Sequence, residues 1–90
     1  MQLRQILRGL SKTYKGRTKL RELLARYKRR LSNNEYWLIE YTYIKEEPVN
    51  HTCELLGFSK SLYHSVLNTA LSKLEILIDD ATMRELIKVL

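Results

Sequence analysis

The chain has 90 residues, 44% of them hydrophobic and 29% charged, with a net charge of +6. That length holds one small domain with a modest core, and the composition excludes both a disordered chain and a membrane-spanning one. No apolar run reaches transmembrane length, the N-terminus lacks the apolar core of a signal peptide, and a single cysteine excludes an internal disulfide and fits a reducing cytoplasm.

The charge is unevenly divided. Residues 1–30 hold eleven Lys or Arg against one acid, Glu22, whereas residues 31–90 hold five bases and nine acids. We read residues 1–30 as a basic N-terminal helical arm. Within it Leu3, Ile6, Leu7 and Leu10 fit one helical stripe, and Gly9 and Gly16 bracket a connection through Ser11-Lys12-Thr13-Tyr14-Lys15. A second stripe runs through Leu20, Leu23, Leu24, Tyr27 and Leu31. Arg17, Lys19, Arg21, Arg26, Lys28, Arg29 and Arg30 fill the other faces. Such a helix buries its leucines and offers cations to DNA phosphates, in a salt-sensitive contact driven by counterion release. The same face also serves as a solvated surface, or suits an acidic protein or an anionic membrane surface, although no membrane partner is expected.

Ser32-Asn33-Asn34-Glu35 matches the S-x-x-E capping box and predicts a helix start. The helix that follows carries Tyr36, Trp37, Ile39, Tyr41 and Tyr43. Aromatics can stack on single-stranded bases, but at helical spacing they more often fill a core; Ile39 and Tyr43 are expected inside, with Trp37 and Tyr41 partly exposed. Pro48 blocks continuation and suits the first turn of a new helix.

Pro48 to Leu74 reads as two helices joined at Leu56-Gly57-Phe58. Gly57 takes the left-handed conformation and Ser59 caps the second helix. The first helix is expected to pack through Val49, Cys53 and Leu56, the second through Tyr63, Val66, Ala70, Leu71 and Leu74. That stripe turns Lys60, Ser61, His64, Ser65, Asn68 and Thr69 outward, with Leu62 and Leu67 outward or flanking. No acid occurs between Phe58 and Leu74. A helix-turn-helix of this kind places its second helix in the DNA major groove. Lys60, Ser61, His64, Ser65 and Asn68 are then candidates for base contacts, with Asn68 paired to adenine and Lys60 to guanine or phosphate. Thr69 and Lys73 join the arm as candidate phosphate contacts. The exposed leucines leave open a helix-turn-helix that binds protein instead.

The segment Leu31 to Leu74 resembles the fourth region of bacterial sigma factors and the phage late-gene activators of the ArpU and RinA types. The resemblance is carried by Leu31-Ser32, by a helix ending in Tyr43-Ile44, and by the acidic connector Lys45-Glu46-Glu47. Leu56-Gly57-Phe58-Ser59-Lys60-Ser61 and the closing Ala70-Leu71-Ser72-Lys73-Leu74 complete it. It covers about half the chain. Thr52-Cys53 stands where that family usually has isoleucine-alanine, and the second helix is poorer in arginine. The resemblance implies a sigma-like fold, base contacts at and just after the turn, and RNA polymerase as a further partner.

Catalysis is not expected: there is no phosphate-cradling glycine loop and no paired catalytic carboxylates. His51 and Cys53, two apart on a helix, diverge, so neither a metal nor another cofactor is expected. Thr82-Met83-Arg84-Glu85 matches a second capping box, and Met83, Leu86, Ile87 and Leu90 form a last apolar stripe that either covers the core or pairs with a partner or a second copy.

The expectation is therefore an all-α bundle of five or six short helices in three parts: the arm (1–30), a helix-turn-helix domain (31–78) and a C-terminal helix (79–90). Its expected function is a cytoplasmic, phage or mobile-element regulator bound to double-stranded DNA, possible as a homodimer. The alternative is an adaptor of the same fold that binds a regulator, a sigma factor or RNA polymerase.

Overall fold

Leucine and isoleucine repeats three and four residues apart run through most of the chain, and most of them become the buried face of a helix. The computed structural model describes residues 2–90. It contains α1 (Leu3–Ser11), α2 (Tyr14–Tyr27), α3 (Asn33–Ile39), α4 (Val49–Leu56), α5 (Lys60–Leu77) and α6 (Asp80–Val89), and no strand among the described residues. A short 3-10 turn, Lys28–Arg30, follows α2, and a π-helical turn, Glu40–Ile44, extends α3. This is the small all-α bundle expected.

The helix boundaries follow local chemistry. Ser32 and Glu35 form the reciprocal box: Glu35 N–H donates to Ser32 Oγ at 3.2 Å and Ser32 N–H to Glu35 Oε1 at 2.7 Å. Gly57 ends α4 in the left-handed region at φ 69°, and the Phe58 amide reaches back to the Cys53 carbonyl at 2.9 Å. Ser59 Oγ then accepts from the Leu62 amide at 3.1 Å and opens α5. The second predicted capping box does not form. Asp79, not Thr82, caps α6, accepting from the Thr82 amide at 2.7 Å, because a carboxylate three residues upstream is the stronger acceptor. That bond from the Thr82 amide holds the Asp79 carboxyl below its ordinary value.

Residues 1–30 do not stand apart as an arm. Leu3, Ile6, Leu7, Leu10, Leu20, Leu23 and Leu24 are buried in the same core as Leu38, Ile39, Tyr43, Tyr63, Leu74 and Leu86. The predicted connection is also shorter than its flanking glycines indicated, because Gly9 and Gly16 both lie inside helices. A Cβ on Gly16 would sit 2.0 Å from the Leu10 carbonyl oxygen, so glycine here permits α2 to fold back against the end of α1.

The faces of the central pair also differ from expectation. Leu67 is 5% exposed and belongs to the core of α5, while Val66 is only partly buried. Tyr63, Leu67, Ala70, Leu71 and Leu74 follow a 4-3-1-3 spacing that α1 and α3 cover together, which widens the buried stripe beyond the one read from α5 alone. On α4 the inward residues are Thr52 and Cys53, with Val49 at the surface and Leu56 half-buried. Of the C-terminal stripe, Leu86 is buried and Met83 partly so, whereas Ile87 and Leu90 remain exposed.

Two polar groups in this core generate predictions. Thr52 Oγ1 is fully buried without a hydrogen-bond partner. Thr52→Val removes an unsatisfied hydroxyl at constant shape and should raise unfolding stability by about 1 kcal/mol in denaturant titration. Glu35, 4% exposed, accepts from Lys73 Nζ at 2.8 Å. Burial pushes its carboxyl upward, but the bonds from Lys73 and Ser32 outweigh this and hold it below its ordinary value of 4.5. A carboxyl lowered on folding stabilises fully above its unfolded pKa and loses that contribution as pH falls through the folded value. Lys73→Met should therefore cost about 1–2 kcal/mol at neutral pH, the lysine being partly solvated, and the gap from the unaltered chain should narrow as pH falls below the carboxyl's ordinary value of 4.5.

Candidate nucleic-acid interface

The solvent face of α5 carries no acid from Lys60 to Leu74, with Glu75 following in its last turn, and the packing of its opposite face fixes what it presents. With Tyr63, Leu67, Ala70 and Leu71 buried, Lys60, Ser61, His64, Ser65, Asn68 and Thr69 are all exposed. His64 stands edge-on to the Tyr63 ring at 5.1 Å and 90°, which fixes its direction. Leu62 is exposed on the same face and Leu55 on α4, just across the turn.

Three of the expected contact residues on α5 already have partners. Thr69 Oγ1 donates to the Ser65 carbonyl at 3.0 Å, so its proton is turned onto its own helix. Lys73 is held by the buried Glu35 and is therefore a structural cation rather than a free one. Asn68 Oδ1 accepts from Arg4 Nη2, a bond that links α5 to α1 across the surface.

The cations of α2 lie elsewhere. Lys19 faces Glu22 at 3.7 Å and Glu85 of α6 at 3.9 Å, and Arg26 Nη1 donates to Thr82 Oγ1 of α6 at 3.4 Å. Arg17 Nη1 donates to the Ser11 carbonyl at 2.9 Å, and Lys28 sits 5.3 Å above the Tyr36 ring. Arg21, Arg29 and Arg30 are exposed without such a partner. The partners of these cations thus lie on α1, α2, α3 and α6, none of them on α5.

The cations that do adjoin α5 are on α1 and were not singled out from the sequence. Arg4, Arg8 and Lys12 recur every four residues on one face of α1, opposite its leucine stripe, and that spacing was the available signal. They line a cleft of about 390 Å³ with Thr42 and Tyr43 of the π turn, Glu46, Val49, and Tyr63, His64 and Leu67 of α5. At its floor the Thr42 and Tyr63 hydroxyls are hydrogen-bonded at 2.9 Å. Burial pushes the Tyr43 hydroxyl above its ordinary range, while the positive charges of Arg4 and Arg8 draw it back. Among the described residues no carboxylate lies within 4.0 Å of Arg4, Arg8 or Lys12. Three neighbouring like charges repel, so an anion from outside the chain is the natural complement of this row.

No group of three or more His, Cys, Asp or Glu side chains among the described residues is arranged to hold a metal ion. His51 Nδ1 instead pairs with Glu47 Oε2 at 2.7 Å, and Cys53 is buried. No helix among them is long and apolar enough to cross a membrane.

Comparison of the chain with protein-family models, with curated proteins and with solved structures finds no match. The electrostatics of α1 are directly testable. Arg4 lies in the first turn of α1, where no acid offsets the positive end of the helix dipole, and four residues from Arg8. Arg4→Gln should leave stability unchanged or raise it by about 0.5 kcal/mol at low ionic strength, with the gain disappearing in molar salt, as read by thermal unfolding at both.

Proposed function

We propose that this chain is a DNA-binding transcription regulator of the phage or mobile-element kind that ArpU-type and RinA-type activators represent, reading duplex DNA with α5. The observation that carries the proposal is the exposed face of α5 from Lys60 to Thr69, which holds no acid, lying beside Arg4, Arg8 and Lys12 of α1, which have no carboxylate within 4.0 Å among the described residues. In this mechanism Lys60, Ser61, His64, Ser65 and Asn68 face base edges, and the α1 row neutralises phosphates flanking the same groove. The α2 cations supply long-range attraction rather than contacts next to α5.

A second reading is favoured by one observation, the exposure of Leu55 and Leu62 on the two sides of the turn. Those side chains suit the apolar centre of a protein contact, such as one with RNA polymerase or another regulator. The two readings part on simple substitutions: Leu62→Asp should abolish a protein complex, whereas Lys60→Ala with His64→Ala should abolish base preference.

The deciding experiment is selection of bound sequences from a random duplex pool at two salt concentrations. One enriched motif is expected, lost with the Lys60 and His64 changes. Arg8→Gln and Lys12→Gln should each reduce the log–log salt slope by about 1 while leaving the motif unchanged. A two-fold symmetric motif would mark a homodimer, for which the exposed Ile87 and Leu90 are the available apolar residues. Absence of binding even at low salt would remove the DNA reading.

A further inference from the structure

Tyr43 brings to the cleft beside α1 a buried polar group that the fold leaves without a partner. Its side chain is 4% exposed, and among the described residues its hydroxyl makes no hydrogen bond. Unlike the hydroxyl of Thr52, it is not sealed inside the core. Tyr43 lines the cleft, so its hydroxyl is reached from there. Burial keeps that hydroxyl above its ordinary value, and at neutral pH it is therefore a donor. Beside it the Thr42 and Tyr63 hydroxyls share one hydrogen bond at 2.9 Å, which uses one of their two protons and leaves the other for an acceptor in the cleft.

The same cleft is lined by Arg4, Arg8 and Lys12, on successive turns of α1. One acid lines it too, the exposed Glu46, so three cations stand against one anion.

We infer that this cleft binds the terminal phosphate group of a small molecule, with Tyr43 as a recessed hydroxyl donor and Arg4, Arg8 and Lys12 as the cations. A phosphate monoester carries about −1.5 to −2 charges at neutral pH and three acceptor oxygens. Guanidiniums meet those oxygens as forks and hydroxyls meet them singly, so the donor set of the cleft matches the acceptor set of the group. The recession of Tyr43 favours a monoester over the DNA backbone. A diester carries a sugar on either side of its phosphorus and meets cations at a rim, whereas a monoester enters end-on and reaches a hydroxyl below it. The cleft volume of about 390 Å³ falls within the range of about 300–1,000 Å³ usual for small-molecule sites. Val49 and Leu67 add apolar wall for the body of such a molecule. The inference does not rest on the DNA reading of α5, and either can fail alone.

The test is calorimetric titration of the full chain, at constant ionic strength, with phenyl phosphate, inorganic phosphate and the diester dimethyl phosphate. Phenyl phosphate should saturate one site. Tyr43→Phe should weaken that binding by about tenfold, the loss of one hydrogen bond to a charged group, and Arg8→Gln by at least as much. Glu46→Gln should tighten it, and Arg21→Gln, at a residue that does not line the cleft, should leave it unchanged. Each variant is first checked for an unchanged thermal transition. If Tyr43→Phe shifts that transition, the Arg8 and Glu46 variants decide, and unchanged affinity in both overturns the inference. Inorganic phosphate bound as tightly as phenyl phosphate supports it with the free ion as ligand, and weaker binding supports it with an organic monoester. Lack of saturation by either, an affinity unchanged in a stably folded Tyr43→Phe, or dimethyl phosphate bound as tightly as the monoester overturns it.

Discussion

The close approach of Gly16 to the Leu10 carbonyl is the contact on which the arrangement of the molecule depends. With no side chain between them, α2 reverses onto α1 after only Lys12 and Thr13. This puts the leucine faces of both helices into one core and leaves the polar face of α1 at the edge of α5. A bulkier residue at position 16 would force the two helices apart, and the loss would extend beyond their own packing. The cleft, the Arg4–Asn68 link and the rim beside His64 all require α1 to lie where this reversal sets it.

Charge in this chain divides by use. Lys73 is committed to a buried carboxylate, Lys19 to two exposed ones, and Lys28 and Lys45 to aromatic rings. These cations are already answered within the fold. Among the described residues Arg8 and Lys12 have no such partner and Arg4 is met only by the neutral Asn68 amide, and the three crowd one helix face beside α5. A folded chain gains nothing in stability from such crowding at low ionic strength.

Much of the fold was legible in the sequence because its signals are local. The capping box at Ser32, the glycine stop at Gly57 and the serine start at Ser59 each need only a few neighbouring residues to act. What could not be read depends on which elements meet. Leu67 is buried because α1 closes over that flank of α5, and nothing in the α5 stripe alone says so. The bond from Lys73 to Glu35 is invisible from the α5 sequence because the two lie 38 residues apart, on different helices. The candidate interface suffered most from this. Sheer number of cations drew attention to α2, whereas adjacency to α5, a tertiary property, singles out α1. The Asp79 start differs in kind, being a local competition between two acceptors three residues apart in which the carboxylate prevails.

The π-helical turn at Glu40–Ile44 explains a spacing that an ordinary helix cannot produce. Leu38 and Ile39 are buried, and so are Tyr43 and Ile44 five residues later, although five residues of α-helix would carry them well round to another face. The wider turn accommodates one additional residue, and the Lys45 amide closes it on the Glu40 carbonyl at 2.9 Å. The helix thus holds one residue more than its two buried pairs require without turning either pair away from the core, and a chain shortened by one residue between Ile39 and Tyr43 would carry an uninterrupted α-helix with both pairs still inside.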